Sequence, residues 1–322
     1  MRAATMRSVL IAAPGVAHLT DVALPEPGPG EIRVRLEGCG VCGSNLPIWE
    51  GRPWFTYPGE PGAPGHEGWG VVDAVGDGVT TPRIGDRVAT LSTRAFAEYD
   101  LVAADAAVVI PPALADRPFP GEPLACAMNA FRRADVRPEH TVVVIGIGFL
   151  GALLAALSAS TGARVIAVSR RPFALDVARA MGAEFVVPLD DHDAILRRVM
   201  ELTGGEGADR VFEAVGLQWP LDLAGELTRV RGRLLIAGYH QDGRRSVDLQ
   251  LWNWRGLDVV NAHERDPAVY VQGMRDAVAA VADGRLDPRP LYTHRFRLDQ
   301  LGDAMNTLRA RPDGFMKALV LS

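Results

Sequence analysis

The sequence predicts an α/β chain made of a β-rich domain and a parallel-sheet domain, and three observations predict it. The 322 residues are too many for one simple core. Residues 1 to about 115 are rich in Gly and Pro and carry short alternating runs, such as Ile32-Arg33-Val34-Arg35-Leu36 and Gly70-Val71-Val72-Asp73-Ala74-Val75. Such runs between frequent breakers read as short strands of an irregular β domain. From Glu122 onward, Ala/Leu/Arg-rich stretches alternate with short Val/Ile-rich ones. That alternation is a βαβ series and implies a parallel sheet.

Taken in order, the opening MRAATMRSVLIAAPG meets Pro14 and Gly15 too early for a signal peptide and reads as a first strand. Breakers at Pro25–Gly30 and Pro58–Gly62 separate the strands that follow. Beyond the junction, Thr141–Ile145 reads as a strand, Phe149–Ser160 as a helix, Arg164–Ser169 as a strand and Phe173–Met181 as a helix ended by Gly182. Arg210–Val215, Arg233–Gly238 and Leu257–Asn261 read as further strands. A helix over Val269–Ala282 and a strand at Lys317–Leu321 close the chain. There is no internal repeat.

Composition narrows the function classes. A formal net charge of −5 without any Lys/Arg run argues against nucleic acid. No apolar stretch is long enough to span a bilayer. Three cysteines, Cys39, Cys42 and Cys126, are no disulfide framework, so a reducing, cytoplasmic compartment is expected.

Gly146-Ile147-Gly148-Phe149-Leu150-Gly151 matches G-x-G-x-x-G, follows the apolar strand Val142–Ile145 and opens a helix. In that setting the glycines allow the tight turn, the approach of a pyrophosphate and close helix–strand packing, with the helix N-terminus facing the phosphates. This is the fingerprint of a Rossmann dinucleotide site. The next strand ends in Ser169-Arg170-Arg171. NAD sites place an acidic residue there to hold the ribose 2′-OH. Here no carboxylate would repel a 2′-phosphate and two guanidiniums could clamp one, so NADP(H) is the expected cofactor. Gly238-Tyr239 follows a late strand of the series and is expected at the same end of the sheet.

Cys42, His66, Glu67 and Glu122 are zinc-type donors from three separate segments, and a catalytic zinc takes three protein ligands with one position open. Spacing alone leaves open whether they converge or whether Cys39 and Cys42 are two small buried residues and His66-Glu67 a surface turn. Trp49, Trp54 and Tyr57 follow the Cys42 loop and fit equally a pocket wall or core packing. Asn261–Asp266 is a polar cluster that suits either a hydroxylated substrate or a surface loop.

The stretches GCGVCGSN, GHEGWGVVDAVGDGV, IGDRV, EPLACAMNA, VVVIGIGFLG and FEAVG run in one order over nearly the whole chain. In them the chain resembles the medium-chain dehydrogenase/reductase superfamily, on its zinc-dependent alcohol and polyol dehydrogenase side. The resemblance implies a GroES-like catalytic domain over 1–122 and 261–322 and a Rossmann cofactor domain over 123–260. It places Cys42 and His66 at two catalytic-zinc ligands and Glu122 at the acidic ligand of the sorbitol and threonine dehydrogenase branch. Glu67 matches a glutamate beside the metal that ligates it in some members, and Ser44 the hydroxyl that passes on the substrate proton. Cys39 has no such role and reads as packing.

The resemblance also implies hydride transfer between NADP(H) and an alcohol or carbonyl compound, with a polyol, cyclitol or sugar as the expected class, and a homo-oligomer, with a dimer favoured. Two departures stand out. Arg87–Thr90 reaches Phe96–Tyr99 almost at once, which leaves no room for the family's structural-zinc cysteines, so one catalytic zinc is expected. Asn45 and Pro47 stand where many relatives have Asp and a relay His. Two rival readings remain at this point. One is a zinc-free quinone or enone reductase of the same superfamily, which would lack the GHE and GxCGS donors. The other is a non-catalytic nucleotide-binding protein, which would show no turnover.

Overall fold

The computed structural model of the chain describes residues 4–322. Residues up to Ala125 together with Asp266–Ser322 form one compact unit, and Cys126–Arg265 form the other.

The first unit begins with the hairpin β1 (Thr5–Ala13) and β2 (Val16–Ala23), which pair antiparallel. Strand β3 (Glu31–Val41) follows, then the short helix α1 (Leu46–Trp49). Next come β4 (Glu67–Val75), β5 (Arg87–Thr90), β6 (Tyr99–Ala103) and β7 (Ala107–Val109). Helix α2 (Gly121–Ala134) carries Glu122 in its first turn, and the two units change over within it.

The second unit is built from β8 (Thr141–Ile145), α3 (Phe149–Ser160), β9 (Arg164–Ser169), α4 (Pro172–Ala180) and β10 (Phe185–Pro188). It continues through α5 (His192–Leu202), β11 (Ala208–Glu213), α6 (Gln218–Leu227), β12 (Thr228–Ile236), α7 (Leu249–Arg255) and β13 (Asp258–Asn261). Its six strands are all parallel, in the order β10-β9-β8-β11-β12-β13. Renumbered within the unit this is 3-2-1-4-5-6, the doubly wound order, whose ligand crevice opens at the carboxyl ends of the strands where the order reverses. That point lies between β8 and β11. Helices on both faces explain why Val165–Ser169 of β9 are buried without alternation. The core is Val143, Ile145, Ile166, Val168, Val211 and Leu234 with their neighbours.

The chain returns to the first unit through α8 (Pro267–Ala282), β14 (His294–Arg297), α9 (Leu301–Ala310) and β15 (Ala318–Leu321). The sheet there runs β14-β15-β3-β4-β5-β7, with β6 also paired to β3. Strand β15 thus finds its partner in β3, against which it lies antiparallel with Ala318 opposite Val41. Ile11, Ile32, Val34, Phe96, Met305 and Val320 lie in its core. Trp49 is core as well, 2% exposed, with its indole N–H donating to Asn306 Oδ1 at 3.0 Å. Tyr57 packs on this core and donates its hydroxyl to the Ile48 carbonyl, whereas Trp54 is exposed. Of the three aromatics, therefore, Trp49 and Tyr57 serve packing. No described helix is long and apolar enough to cross a membrane.

Candidate metal centre and dinucleotide site

The donor-bearing loop is fixed by its own backbone. After β3, residues Gly43–Asn45 form a single 3-10 turn in which Asn45 N–H donates to the Cys42 carbonyl at 3.0 Å. The Asn45 side chain is 1% exposed and ties three segments together. Its Oδ1 accepts from Cys42 N–H at 2.8 Å, and its Nδ2 donates to the Pro64 carbonyl at 3.1 Å. Asn45 thereby locks the Cys42 loop to the segment that carries His66.

His66 precedes β4, and its Nδ1 lies 2.8 Å from the Pro64 carbonyl. A carbonyl can only accept, so Nδ1 holds the proton and Nε2 faces the site. A backbone carbonyl is one of the partners that orient an imidazole in this way, so His66 has such a partner although residue 45 is Asn rather than Asp. Ser44 Oγ stands 3.5 Å from Nε2.

Among the described residues, Cys42, His66 and Glu67 bring their ligand atoms within 4.8 Å of one another. Glu122 is not in that tight group, but its charge acts on His66 and on Lys317. Burial alone would push the His66 pKa down. The hydrogen bond and charge of Cys42, with Glu122 and Glu67, outweigh it and hold His66 up at about 10. A half-buried imidazole ringed by three acidic groups is a site built for positive charge. The soft thiolate, imidazole and carboxylate set suits zinc. Glu67 is fully buried. Its Oε1 accepts from Lys317 Nζ at 2.6 Å, while its Oε2 lies 2.6 Å from the same nitrogen with no hydrogen bond directed at it. Cys39 is 1% exposed and its thiol is pushed up by burial and by the Glu67 carboxylate, as suits packing.

Lys317 escaped sequence reasoning. Burial would lower its pKa, but Glu67, Cys42 and Glu122 raise it and keep the ammonium charged. The signal that could have found it is a lysine flanked by apolar residues in Phe315-Met316-Lys317-Ala318-Leu319-Val320-Leu321.

In the second unit, Gly146 has φ +94°, and a Cβ there would meet Val215 Cγ2 at 2.4 Å. A Cβ on Gly151 would stand 2.0 Å from the Gly146 carbonyl oxygen, so α3 closes on the turn only without one. Gly148 is the N-cap of α3, and open space lies where its Cβ would point. Phe149 and Leu150, half-buried, open the helix. Gly146 and Gly151 therefore have the tight-turn and close-packing roles the motif predicts, beside the reversal in strand order. Ser169 is buried at the carboxyl end of β9, Arg170 is exposed, and Arg171 is half-buried. Arg171 Nη2 donates to the Ile147 carbonyl at 3.1 Å, so its guanidinium lies against the glycine turn.

Gly238 follows β12, with its N–H donating to the Glu213 carbonyl at 2.7 Å. Tyr239 is 58% exposed, and its ring lies 5.9 Å from that of His263. Within the Asn261–Asp266 cluster, Asp266 caps α8 by accepting from Ala268 N–H at 2.9 Å.

Comparison with known proteins finds two matching domain families. The alcohol dehydrogenase GroES-like domain family matches residues 28–112, and the zinc-binding dehydrogenase family matches residues 146–279. A sorbitol dehydrogenase of Halalkalibacterium halodurans is 25% identical, with 95% of this chain and 96% of that protein covered. A zinc-binding dehydrogenase of Sinorhizobium meliloti, solved bound to NADP, is 25% identical with a TM-score of 0.85, covering 99% of this chain and 100% of that one. An alcohol dehydrogenase of Escherichia coli CFT073, solved with NADH, has the same fold at a TM-score of 0.87 and 24% identity, with 99% of each chain covered. Donor set, glycine turn, strand order and family matches converge, and the chain belongs to the zinc-dependent medium-chain dehydrogenase/reductase superfamily, on its sorbitol and threonine dehydrogenase-like branch.

Proposed function

We propose that this alcohol dehydrogenase family member is a zinc-dependent oxidoreductase that moves a hydride between NADP(H) and an alcohol or carbonyl compound, with a polyol, cyclitol or sugar as substrate. The observation that carries the reading is the convergence of Cys42, His66 and Glu67, with Glu122 acting on the same imidazole. Cys42, His66 and Glu122 would hold the zinc, with Glu67 beside them. When bound, the metal supplies Lewis acidity and the nicotinamide supplies the hydride chemistry.

The chain's own residues do the rest. The Pro64 carbonyl fixes the His66 tautomer, and Asn45 holds the Cys42 loop in register with it. Ser44 Oγ, at 3.5 Å from His66 Nε2, is placed to take the substrate hydroxyl proton and pass it outward. Pro47 is buried in α1 and offers no group for relay, so the proton leaves Ser44 by another path. The glycine turn and the N-terminus of α3 seat the pyrophosphate, and Ser169, Arg170 and Arg171 read the ribose.

The test is elemental analysis beside turnover. One zinc per chain is expected, and Cys42→Ser or His66→Ala should remove zinc and activity together. A zinc-free protein with full turnover would refute the reading.

A further inference from the structure

We propose that His240 is a positioning residue for the nicotinamide half of the cofactor. It latches the loop after β12 to the turn after β11 and so holds one wall of the crevice in its binding shape. The inference rests on the dinucleotide reading above.

Strand order decides which half of a dinucleotide meets which strands. The crevice opens between β8 and β11, the pyrophosphate belongs at the N-terminus of α3 after β8, and the adenosine ribose belongs at the end of β9. Each half of a doubly wound sheet holds one mononucleotide. The nicotinamide half therefore falls on the far side of β8 from β9, over the carboxyl ends of β11 and β12. Residues 214–217 leave the first of these ends for α6, and residues 237–248 leave the second for α7.

A buried acid joins these two segments. Glu213, the last residue of β11, is fully buried. Its Oε1 accepts from the N–H groups of Val215 at 2.8 Å and Gly216 at 2.7 Å, which shapes its own turn. Its Oε2 lies 2.9 Å from His240 Nε2. On the other side of the ring, Arg245 Nε donates to His240 Nδ1 at 3.1 Å. Guanidinium can only donate, so Nδ1 accepts and the ring proton on Nε2 goes to the carboxylate. Arg245 then returns to the first turn, where its Nη2 donates to the Gly216 carbonyl at 3.0 Å. Carboxylate and guanidinium thus meet through the imidazole, and hydrogen bonds in such a chain polarise one another.

The loop depends on such holds. Residues 238–248 are each half-buried or exposed, so hydrogen bonds rather than apolar packing keep the loop in place. At its start the two backbones approach as closely as glycine permits. A Cβ on Gly238 would fall 2.3 Å from Gly216 N and 2.6 Å from Glu213 Oε2, and one on Gly216 would fall 2.7 Å from the Tyr239 carbonyl oxygen. Near its end the Gln218 side chain takes both backbone groups of Ser246, donating to the carbonyl at 2.7 Å and accepting from the N–H at 2.9 Å. The His240 latch lies between and is the hold that starts from a buried charge. Removing the imidazole takes the donor from a buried carboxylate oxygen and the acceptor from Arg245. The loop then samples other arrangements, and a ligand that needs the held one loses apparent affinity in proportion.

The test separates the two halves of the coenzyme. Calorimetry measures the binding of NADPH and NADH, and of their adenosine halves, adenosine 2′,5′-bisphosphate and ADP, to the wild type and to His240→Ala. The variant should bind the preferred whole coenzyme at least about tenfold more weakly, the loss expected when the held arrangement falls to about a tenth of the molecules. Its affinity for the matching adenosine half should be unchanged. At saturating coenzyme, the emission of the bound dihydronicotinamide should also move toward that of free coenzyme. If His240→Ala does not fold, Arg245→Met, which leaves the Glu213–His240 contact in place, should give the same selective loss and the same spectral change. Equal losses for whole and half ligands, as a merely structural contact would give, overturn the proposal. So do unchanged coenzyme binding and unchanged emission, and in each of these cases the dinucleotide reading stands. A wild-type protein that binds neither coenzyme overturns both.

Discussion

Cofactor choice is where the structure turns a sequence expectation into a graded one. Arg171 is half-buried and its guanidinium donates to the Ile147 carbonyl at 3.1 Å, so it lies against the glycine turn, while Arg170 is exposed. An arginine–phosphate hydrogen bond contributes about 1.5–3 kcal/mol. At about 1.4 kcal/mol per factor of ten, one such bond to a 2′-phosphate favours NADPH about ten- to a hundredfold. Solvent screening reduces this most for Arg170. Wild-type enzyme should therefore prefer NADP(H) over NAD(H) by at least about tenfold in kcat/KM, and Arg171→Ala should lose more of that preference than Arg170→Ala. Ser169→Asp with Arg170→Ala should reverse it, because a carboxylate at the end of β9 accepts from a free 2′-OH and repels a phosphate. The assay is steady-state kinetics of each variant with both cofactors. The loss should fall on KM for NADPH, since the contact is remote from the reacting carbon and equal in ground and transition states. Equal efficiency of the wild type with both cofactors would refute the reasoning.

Two further predictions concern the metal centre. In metal-free protein His66 is held up at about 10, so its contribution to stability is fully present below the ordinary imidazole value and is lost as pH rises through that figure. Metal must displace this proton. Zinc affinity should therefore rise with pH between neutrality and about 10, and calorimetry in buffers of different ionisation enthalpy should detect the released proton near neutral pH. Asn45→Ala removes the cross-link between the Cys42 N–H and the Pro64 carbonyl, leaving both without this partner, and should cost about 1–3 kcal/mol in denaturant unfolding together with weaker zinc retention. Unchanged stability and unchanged zinc content would show that the Cys42 loop keeps its place without it.

The sequence by itself determined the parts of this protein that repeat locally. Hydrophobic runs and helical patterns located β8, α3 and β9 with the bounds the structure shows, because buried strands and amphipathic or apolar helices write their periodicity into adjacent residues. The glycine turn was equally legible, since Gly146 and Gly151 are required by backbone conformation and close approach within a few residues of chain. Element ends were less so. The late strands begin and finish up to several residues from the expected points, as with Thr228–Ile236, where register with β11 and β13 decides the pairing.

Only the tertiary structure decided what distant segments do to one another. It put Trp49 in the core through Asn306, gave His66 a carbonyl instead of a carboxylate, and left Glu122 outside the tightest donor group. It also brought Lys317 over Gly40 to Glu67. Nothing in local periodicity encodes these meetings. They follow from which strands lie beside β3 and in what register, and register is fixed by the cooperative burial of a whole sheet face rather than by any neighbouring residue.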